Sequence, residues 1–553
     1  MSARLAAEKY STVSKEEFRN LASSLGFQVE PRDEADYLDL LRAAIADIET
    51  VQAMPPYHHP LIRTADSAGE RASTRPSAPE NPLNGWSHRT TIRPSAEGLL
   101  SGRTIAIKDN VSVAGLPMTG GTQPYHLSKD KPYPISSFDA PVVTRVLEAG
   151  GTITGTSTCE NYCMSALSFS SATGPVDNPW LKGYACGSSS GGAALVGVKS
   201  VRKQREKGGG QIASDDDLGE GVDLAIGGDQ GGSIRMPAAY SGIYGLKPTH
   251  GLVPYTGIGA LHPMIDHSGW DGLDPRMTPE TPLRQNARAY HGKLDEAIES
   301  RKASGSWNPT AAASGLRIGL VKEAWSAPQL SEEVAAVVKQ AGQRFAALGG
   351  TVEEVSIPMH DLGAAIFTAV VRSEMPDVFV HNKPPDCLSW PIADLMPPTP
   401  DGKWFETLNI SAPTVVNKFV TGEFLNRNKD TFPPAARGKA ITHVHELRAA
   451  YDAALAQFDV LITPCNPTVG MKHLGPDMSV AERYALALGN TWNTSPFNLT
   501  GHPGLSVPVG WGRTEDGQGR LPIGMQMVGR RWDEETLFLA AAAWEVGGLG
   551  LDS

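Results

Sequence analysis

Short β-prone segments alternate with helical segments along most of the chain, and this alternation limits the possible folds more than any other feature. The β-prone segments are residues 104–108, 222–226, 315–321, 351–357, 460–463, 505–509 and 523–528. Between them, helical periodicity closed by glycine pairs predicts helices at 333–348 and 533–546. Strands that alternate with helices at this spacing are typical of an α/β fold.

The N-terminal part of the chain differs in composition and in the period of its apolar residues. Apolar residues between Leu38 and Ile48 recur with the 3.6-residue period of a helix. Residues 55–94 are rich in Pro, Ser, Thr and Asn, which favours an extended connector that wraps around the body of the protein. We therefore expect a helical N-terminal region with its connector over residues 1–97, and one α/β domain over residues 98–553.

Residues 199–221 interrupt the pattern as a charged insertion. A basic cluster from Arg202 to Lys207 is followed by three glycines and then by the acidic run Asp215–Asp217. Such a segment has almost nothing apolar to bury, so it is predicted to be a solvated, mobile loop.

Charge and cysteine content exclude several classes of function. The 49 basic and 60 acidic side chains give a net charge of −11, which argues against nucleic-acid and anionic-membrane partners. No apolar run approaches the roughly 18 residues that span a bilayer. Five cysteines without paired spacing indicate neither a disulfide framework nor a metal site. The first residues lack the apolar segment of a secretory signal, so we expect a cytoplasmic protein.

Three local features could carry chemistry. Lys108 ends the first β-prone segment, the run Gly187–Gly192 leads straight into a helical segment, and Gly227–Arg235 is a second glycine-rich turn. Taken singly, each has an ordinary explanation, because a lysine at a strand end is usually solvated and glycine-rich runs are usually linkers or tight turns.

Other chemistries are disfavoured because their motifs are missing. Neither glycine run has the spacing of a phosphate-binding loop or a dinucleotide-binding turn, which argues against a nucleotide cofactor. No histidine stands in a context that marks it as part of a Ser-His-Asp triad, and the sequence has no H-E-x-x-H for a metal. His267 and His502 are therefore interpreted as hydrogen-bonded core or loop residues.

Together, the three features suit nucleophilic acyl transfer without histidine. A serine nucleophile needs a base, and a lysine amine can serve when burial disfavours its charged form. Backbone amides at 230–233 can converge because the glycines leave room, and converging amides stabilise an oxyanion.

At these residues the sequence resembles the amidase signature family, a group of serine hydrolases that act on carboxylic amides. The motifs are, in order, A-I-K-D at 106–109, G-S-S-S-G-G at 187–192 and G-G-S-I-R-x-P-A at 231–238. Further stretches, most similar to the enantioselective amidases of nitrile-degradation pathways, lie at 174–180, 251–257 and 500–508. The resemblance implies an amidase signature fold, in which a large mixed β-sheet is covered by helices on both faces.

The resemblance also implies a Ser-Ser-Lys relay. Lys108 matches the family's base and Ser233 its nucleophile. Ser188 matches the intermediate serine, which has a cis peptide bond in the family, although Ser189 is only one residue away.

An oxyanion hole is expected from the backbone amides of Gln230, Gly231 and Gly232, while Asp229 and Arg235 are expected to hold the loop. The implied reaction cleaves an amide to the acid and ammonia through an acyl-enzyme, without a metal or cofactor. The expected partner is a small-molecule amide, and self-association as a homodimer is left open.

The chain departs from the family pattern at two places. The insertion at 199–221 lengthens the family spacing, and the family's helix after about residue 269 is missing. A misassigned gene structure would produce both departures. Two alternative functions therefore remain: a glutamine-hydrolysing amidotransferase A-type subunit, and a catalytically disabled family member that acts as a scaffold.

Overall fold

The structure is a computed structural model. It describes residues 13–55, 62–128, 132–206, 217–267, 282–383, 399–475, 478–487 and 489–547, with the backbone alone for 282–292. Contacts divide the chain into two units, residues 1–59 and residues 60–553. This division lies earlier in the chain than the boundary after residue 97 that the sequence suggests.

The first unit contains two described helices, α1 (Lys15–Ser24) and α2 (Glu34–Gln52). Arg19 of α1 and Glu34 of α2 form an ion pair with an N···O distance of 2.8 Å. The helical N-terminal region is thus observed, although Ile48 on the predicted apolar face is 59% exposed.

Four strands of the second unit form one sheet in the order β1-β3-β2-β4. Their bounds are β1 Trp86–Ile92, β2 Thr104–Lys108, β3 Thr152–Ser157 and β4 Leu224–Ile226. Strand β2 is parallel to its neighbours β3 and β4, whereas β1 is antiparallel to β3. The carboxyl ends of β2, β3 and β4 therefore meet at one edge of the sheet, where α/β folds commonly bind ligands.

Six strands form the other sheet in the order β5-β9-β10-β8-β6-β7. Their bounds are β5 Gly245–Lys247, β6 Arg317–Val321, β7 Thr351–Val355, β8 Val460–Pro464, β9 Gly504–Arg513 and β10 Arg520–Val528. Strand β6 is parallel to β7 and β8, and the remaining pairs are antiparallel. Among the described residues, the expected single large sheet is thus divided into two mixed sheets.

The described part of the second unit also contains fifteen α-helices. They are α3 Ala65–Ala68, α4 Pro124–Leu127, α5 Pro141–Glu148, α6 Ser190–Glu206, α7 Arg235–Ser241, α8 Pro282–Ala303, α9 Glu332–Gln343, α10 Gly363–Val371, α11 Met375–Phe379, α12 Gly402–Ser411, α13 Pro413–Arg427, α14 Ala435–Gln457, α15 Val480–Ala487, α16 Ser495–Thr500 and α17 Glu534–Val546. Single turns of 3-10 helix lie at Ala78–Glu80, Asn161–Cys163, Lys322–Ser326, Arg344–Ala346 and Pro358–Leu362. Within the described ranges, none of the helices has the length and apolar character that crossing a membrane requires.

The two faces of the six-stranded sheet pack into different apolar clusters. Ile462 of β8 lies in a cluster with Val338 of α9 and Trp544 of α17. The preceding residue, Leu461, lies in a second cluster with Tyr451 of α14. Because successive strand residues point to opposite faces, helices cover both faces of this sheet, as the α/β prediction requires.

Two local predictions are wrong. Strand β1 lies within the predicted connector, because β3 offers it a pairing partner that the local sequence does not reveal. Helix α6 continues through Glu206, so the first part of the predicted charged loop is helical, and Val201 in this part is buried in the core. The rest of the insertion at 207–216 and the place of the missing family helix at 268–281 lie outside the described residues.

Candidate active site

Lys108 is the last residue of β2 and pairs in register with Ser157 of β3. The lysine is 1% exposed, and its Nζ has no hydrogen-bond partner among the described residues. Leaving a buried polar group unsatisfied costs about 1–3 kcal/mol, so an arrangement of this kind needs a functional explanation. The strand end therefore presents a buried amine at the edge where the parallel strands meet.

The serine run lies at the start of α6, and its three hydroxyls differ in their bonding. Ser190 donates to the carboxyl group of Glu160 over 3.1 Å. The hydroxyls of Ser188 and Ser189 are buried and have no partner within the described part of the chain. All peptide bonds of the described residues are trans, so the cis peptide bond that the resemblance implies at Ser188 is not observed.

Gly227, the first residue after β4, brings Lys108 and Ser189 together. A Cβ atom placed on Gly227 would lie 3.3 Å from Cδ of Lys108 and 3.3 Å from Oγ of Ser189. Both side chains also line one small cavity of about 120 Å³. Ser189 is therefore a second candidate for the intermediate serine, beside the sequence-based assignment to Ser188, which remains a prediction.

Ser233 lies in the loop between β4 and α7 and lines a larger cavity of about 330 Å³. The side chain is 5% exposed, and Gln230 and Gly231 line the same cavity. A Cβ atom on Gly231 would lie 3.6 Å from Phe367 of α10, which is ordinary contact. The nucleophile predicted from the sequence is thus placed in the wall of a cavity large enough for a small substrate.

A buried ion pair holds this loop. Nη2 of Arg235 lies 2.9 Å from Oδ1 of Asp229, and both side chains are almost completely buried. Burial opposes ionisation of Asp229, yet the Arg235 charge and the hydrogen bonds of Arg235 and Asn498 keep its pKa well below the usual value. The carboxylate accepts the backbone amides of Gly232 over 2.7 Å and Ile234 over 3.1 Å. The loop is therefore fixed from inside the protein, as the sequence suggests for Asp229 and Arg235.

The expected oxyanion hole needs one correction. The amide of Gly232 already donates to Asp229, so in this structure it is not available to a substrate. The amides of Gln230 and Gly231 have no acceptor among the described residues. Gly232 still has to be glycine, because its φ is +134° and a Cβ atom there would lie 2.4 Å from Oγ1 of Thr494.

Sequence reasoning missed several groups close to Lys108. Burial raises the pKa of Glu160 to about 8, so this carboxyl group is mostly protonated at neutral pH. Sγ of Cys163 lies 3.9 Å from Sγ of Cys159, and the bond with Cys159 and the positive charge of Lys108 lower the pKa of the Cys163 thiol. Tyr162 and Cys163 both have left-handed backbone conformations, with φ of 51° and 57°, which places the thiol in the wall of the larger cavity.

Three cationic side chains were also missed, and all of them line the cavity of Ser233: Arg372 directly after α10, Lys418 on α13 and Arg483 on α15. They lie far along the chain from the motifs, in helical segments where no local signal distinguishes them. In the described part of the chain, no group of three His, Cys, Asp or Glu residues could hold a metal ion.

Comparisons with known sequences match most of the second unit. The family model described as Amidase matches residues 84–202 and 219–538, and the gap between them falls within the charged insertion. An enantioselective amidase from Rhodococcus rhodochrous is 33% identical over 523 residues, which cover 87% of each chain. The A-type subunit of glutamyl-tRNA(Gln) amidotransferase from Halobacterium salinarum is 30% identical over 473 residues, covering 84% of this chain and 99% of that protein.

Solved structures are similar in fold. The A-type subunit of glutamyl-tRNA(Gln) amidotransferase from Thermotoga maritima aligns with a TM-score of 0.57 at 22% identity, covering 85% of this chain and 88% of that chain. The peptide amidase from Stenotrophomonas maltophilia aligns with a TM-score of 0.55 at 22% identity, covering 82% and 84% of the two chains.

Proposed function

Since this chain belongs to the amidase signature family, we propose that it hydrolyses a carboxylic amide to the acid and ammonia, with Ser233 as the nucleophile. The observation that carries this proposal is the position of Ser233 in the wall of a substrate-sized cavity, next to the unbonded amides of Gln230 and Gly231. The buried amine of Lys108 at the neighbouring strand end supplies a base.

In the proposed first half of the reaction, the neutral amine of Lys108 removes the Ser233 proton. The proton passes through the hydroxyl of Ser188 or of its neighbour Ser189, while Oγ of Ser233 bonds to the carbonyl carbon. The resulting oxyanion accepts hydrogen bonds from the Gln230 and Gly231 amides. The C–N bond then breaks as the relay returns its proton to the nitrogen. Ammonia departs, and the acyl group stays bound to Ser233 as an ester.

In the second half, water takes the place of ammonia. The same relay removes a proton from the water as its oxygen attacks the ester carbon. Cleavage of the ester bond releases the acid, and the proton returns to Ser233. Every proton transfer in this scheme uses a side chain of the protein itself, which agrees with the burial of Lys108, Ser188 and Ser189.

The alternative from the same family is release of ammonia from glutamine by an amidotransferase subunit. The 99% coverage of the Halobacterium salinarum protein favours it. Glutamine carries an α-ammonium group, however, and no Asp or Glu lies among the described residues that line the Ser233 cavity. This cavity therefore fits an amide without a positive charge better. A scaffold role is disfavoured because Lys108 and both unbonded serines remain in place.

The test is labelling of the folded full-length protein with a fluorophosphonate, read by intact mass. We expect one adduct in the wild type and none in Ser233→Ala or Lys108→Met, because the probe reports an activated serine. Ser165→Ala is the matched control, since Ser165 lines the same cavity and its hydroxyl bonds to Leu167 alone among the described residues, donating to the carbonyl over 3.0 Å and accepting from the amide over 3.1 Å. This variant should label as the wild type does.

Ammonia release from a panel of simple amides then tests the reaction. Labelling that persists in Ser233→Ala would disprove the nucleophile assignment. Ammonia release from glutamine alone, dependent on added partner proteins, would favour the amidotransferase alternative. A folded protein without any adduct would favour the scaffold.

A further inference from the structure

The cavity of Ser233 is positively charged in an acidic protein. Arg372, Lys418 and Arg483 line it, whereas none of its described lining residues is acidic. The protein as a whole carries a net charge of −11, so this local excess of cations runs against the overall charge. A cavity that concentrates one sign of charge favours ligands of the opposite sign.

Arg372 lines this cavity and has an unsatisfied hydrogen-bond donor. Its side chain is half-buried, and its Nε is buried without a hydrogen-bond partner among the described residues. No ion pair joins it to a carboxylate within the described ranges. A guanidinium group presents a planar set of donors that matches a carboxylate, so its open donors are suited to that group.

Lys418 stands close to Arg372, and no described carboxylate pairs with it either. Its ammonium group donates to the carbonyl oxygen of Met164. Burial, followed by the positive charge of Arg372, lowers the pKa of Lys418 to about 7. Two neighbouring cations that destabilise each other would both be stabilised by one bound anion.

We propose that Arg372 and Lys418 form an anion subsite for the substrate, so that the preferred amides carry a carboxylate on the acyl part, as monoamides of dicarboxylic acids do. The inference rests on the proposed amidase function and names its substrate class. The lining of the same cavity also includes Phe367 and Trp492, whose apolar rings suit the carbon chain that joins the two ends of such a substrate.

The test compares kcat/KM for a series of monoamides, from succinamate to sebacamate, with neutral alkanamides of the same chain length. We expect the wild type to prefer at least one monoamide by about ten- to a hundredfold, the range that charge-assisted hydrogen bonds provide. Arg372→Met should remove most of this preference, and Arg372→Lys should restore part of it. Arg427→Met is the matched control, because Arg427 lies on the same helix as Lys418 but is 76% exposed at its side chain.

A second readout separates this inference from the proposed function. Adipate should slow fluorophosphonate labelling of the wild type more than inorganic phosphate does, and it should not slow labelling of Arg372→Met. Normal labelling with no preference for any monoamide and no protection by adipate would overturn the subsite while leaving the amidase proposal intact. Equal protection by phosphate and adipate, without a monoamide preference, would point to a free-anion site and would also overturn the substrate assignment. If neither the wild type nor any variant is labelled, calorimetric titration of adipate into wild type and Arg372→Met tests the subsite independently of catalysis.

Discussion

At the scale of single residues, hydrogen bonding distinguishes two kinds of serine in the run Ser188–Ser190. Ser190 is occupied with Glu160, whereas Ser188 and Ser189 are buried and unbonded among the described residues. Ser189 and Lys108 both lie close to Gly227, 3.3 Å from a Cβ atom placed there. This proximity favours Ser189 as a candidate for the intermediate serine, whereas the repeated letters of the motif do not distinguish it from Ser188.

This leads to a prediction for the two serines. We expect Ser189→Ala to lower kcat by about 10²- to 10⁴-fold, the usual contribution of proton transfer, because it breaks the relay next to Lys108. We expect Ser188→Ala to cost less. Both are read by ammonia release, with unfolding midpoints as the control for folding. A loss confined to Ser188→Ala would restore the sequence-based assignment.

The cations of the cavity show why the site was only partly predictable. Lys108 and Ser233 occur in short motifs in which glycines, serines and a strand end stand at fixed spacing. Arg372 and Lys418 occur in helical segments, where a basic residue is usually solvent-exposed. Their role depends on helix packing over the loop of Ser233, which no local pattern encodes.

At the scale of elements, the loop between β4 and α7 depends on two adjacent glycines for different reasons. Gly232 has a φ of +134°, and a Cβ atom on it would clash with Thr494. We expect Gly232→Ala to lower the free energy of unfolding by about 1–3 kcal/mol, the cost of a strained backbone. Thermal or denaturant unfolding measures it.

Gly231→Ala is the matched comparison. Its Cβ atom would make ordinary contact with Phe367, so the unfolding midpoint should stay unchanged. The added methyl group would occupy the cavity beside the oxyanion amides, and kcat/KM should therefore fall. A Gly231→Ala protein as unstable as Gly232→Ala would contradict this separation of roles.

Strands with strong β-prone composition were predictable, and strands that depend on distant partners were not. Thr104–Lys108 was predicted with its observed bounds because its apolar run ends at a turn signal. Trp86–Ile92 was missed, since it lies in a segment rich in turn-forming residues and becomes a strand by pairing with β3. Likewise, α6 extends further along the chain than predicted, because Val201 is buried in the core.

At the scale of the whole molecule, every residue of the proposed site belongs to the second unit. Lys108, the serine run and Ser233 follow strands of the four-stranded sheet or open the helix beside it, while Arg372 and Lys418 come from the helices that pack on the other sheet. The site therefore requires both sheets, and both lie within residues 60–553.

A chain that begins at residue 60 should consequently keep the site. We expect it to give the same single fluorophosphonate adduct on Ser233 and to hydrolyse the same amides as the full chain, because residues 1–59 form a separate unit and contribute no described strand to either sheet. The measurement is intact-mass labelling beside ammonia release, with Ser233→Ala in the shortened chain as the control. A shortened protein that unfolds at the same temperature as the full chain but is not labelled would show that the first unit takes part in catalysis.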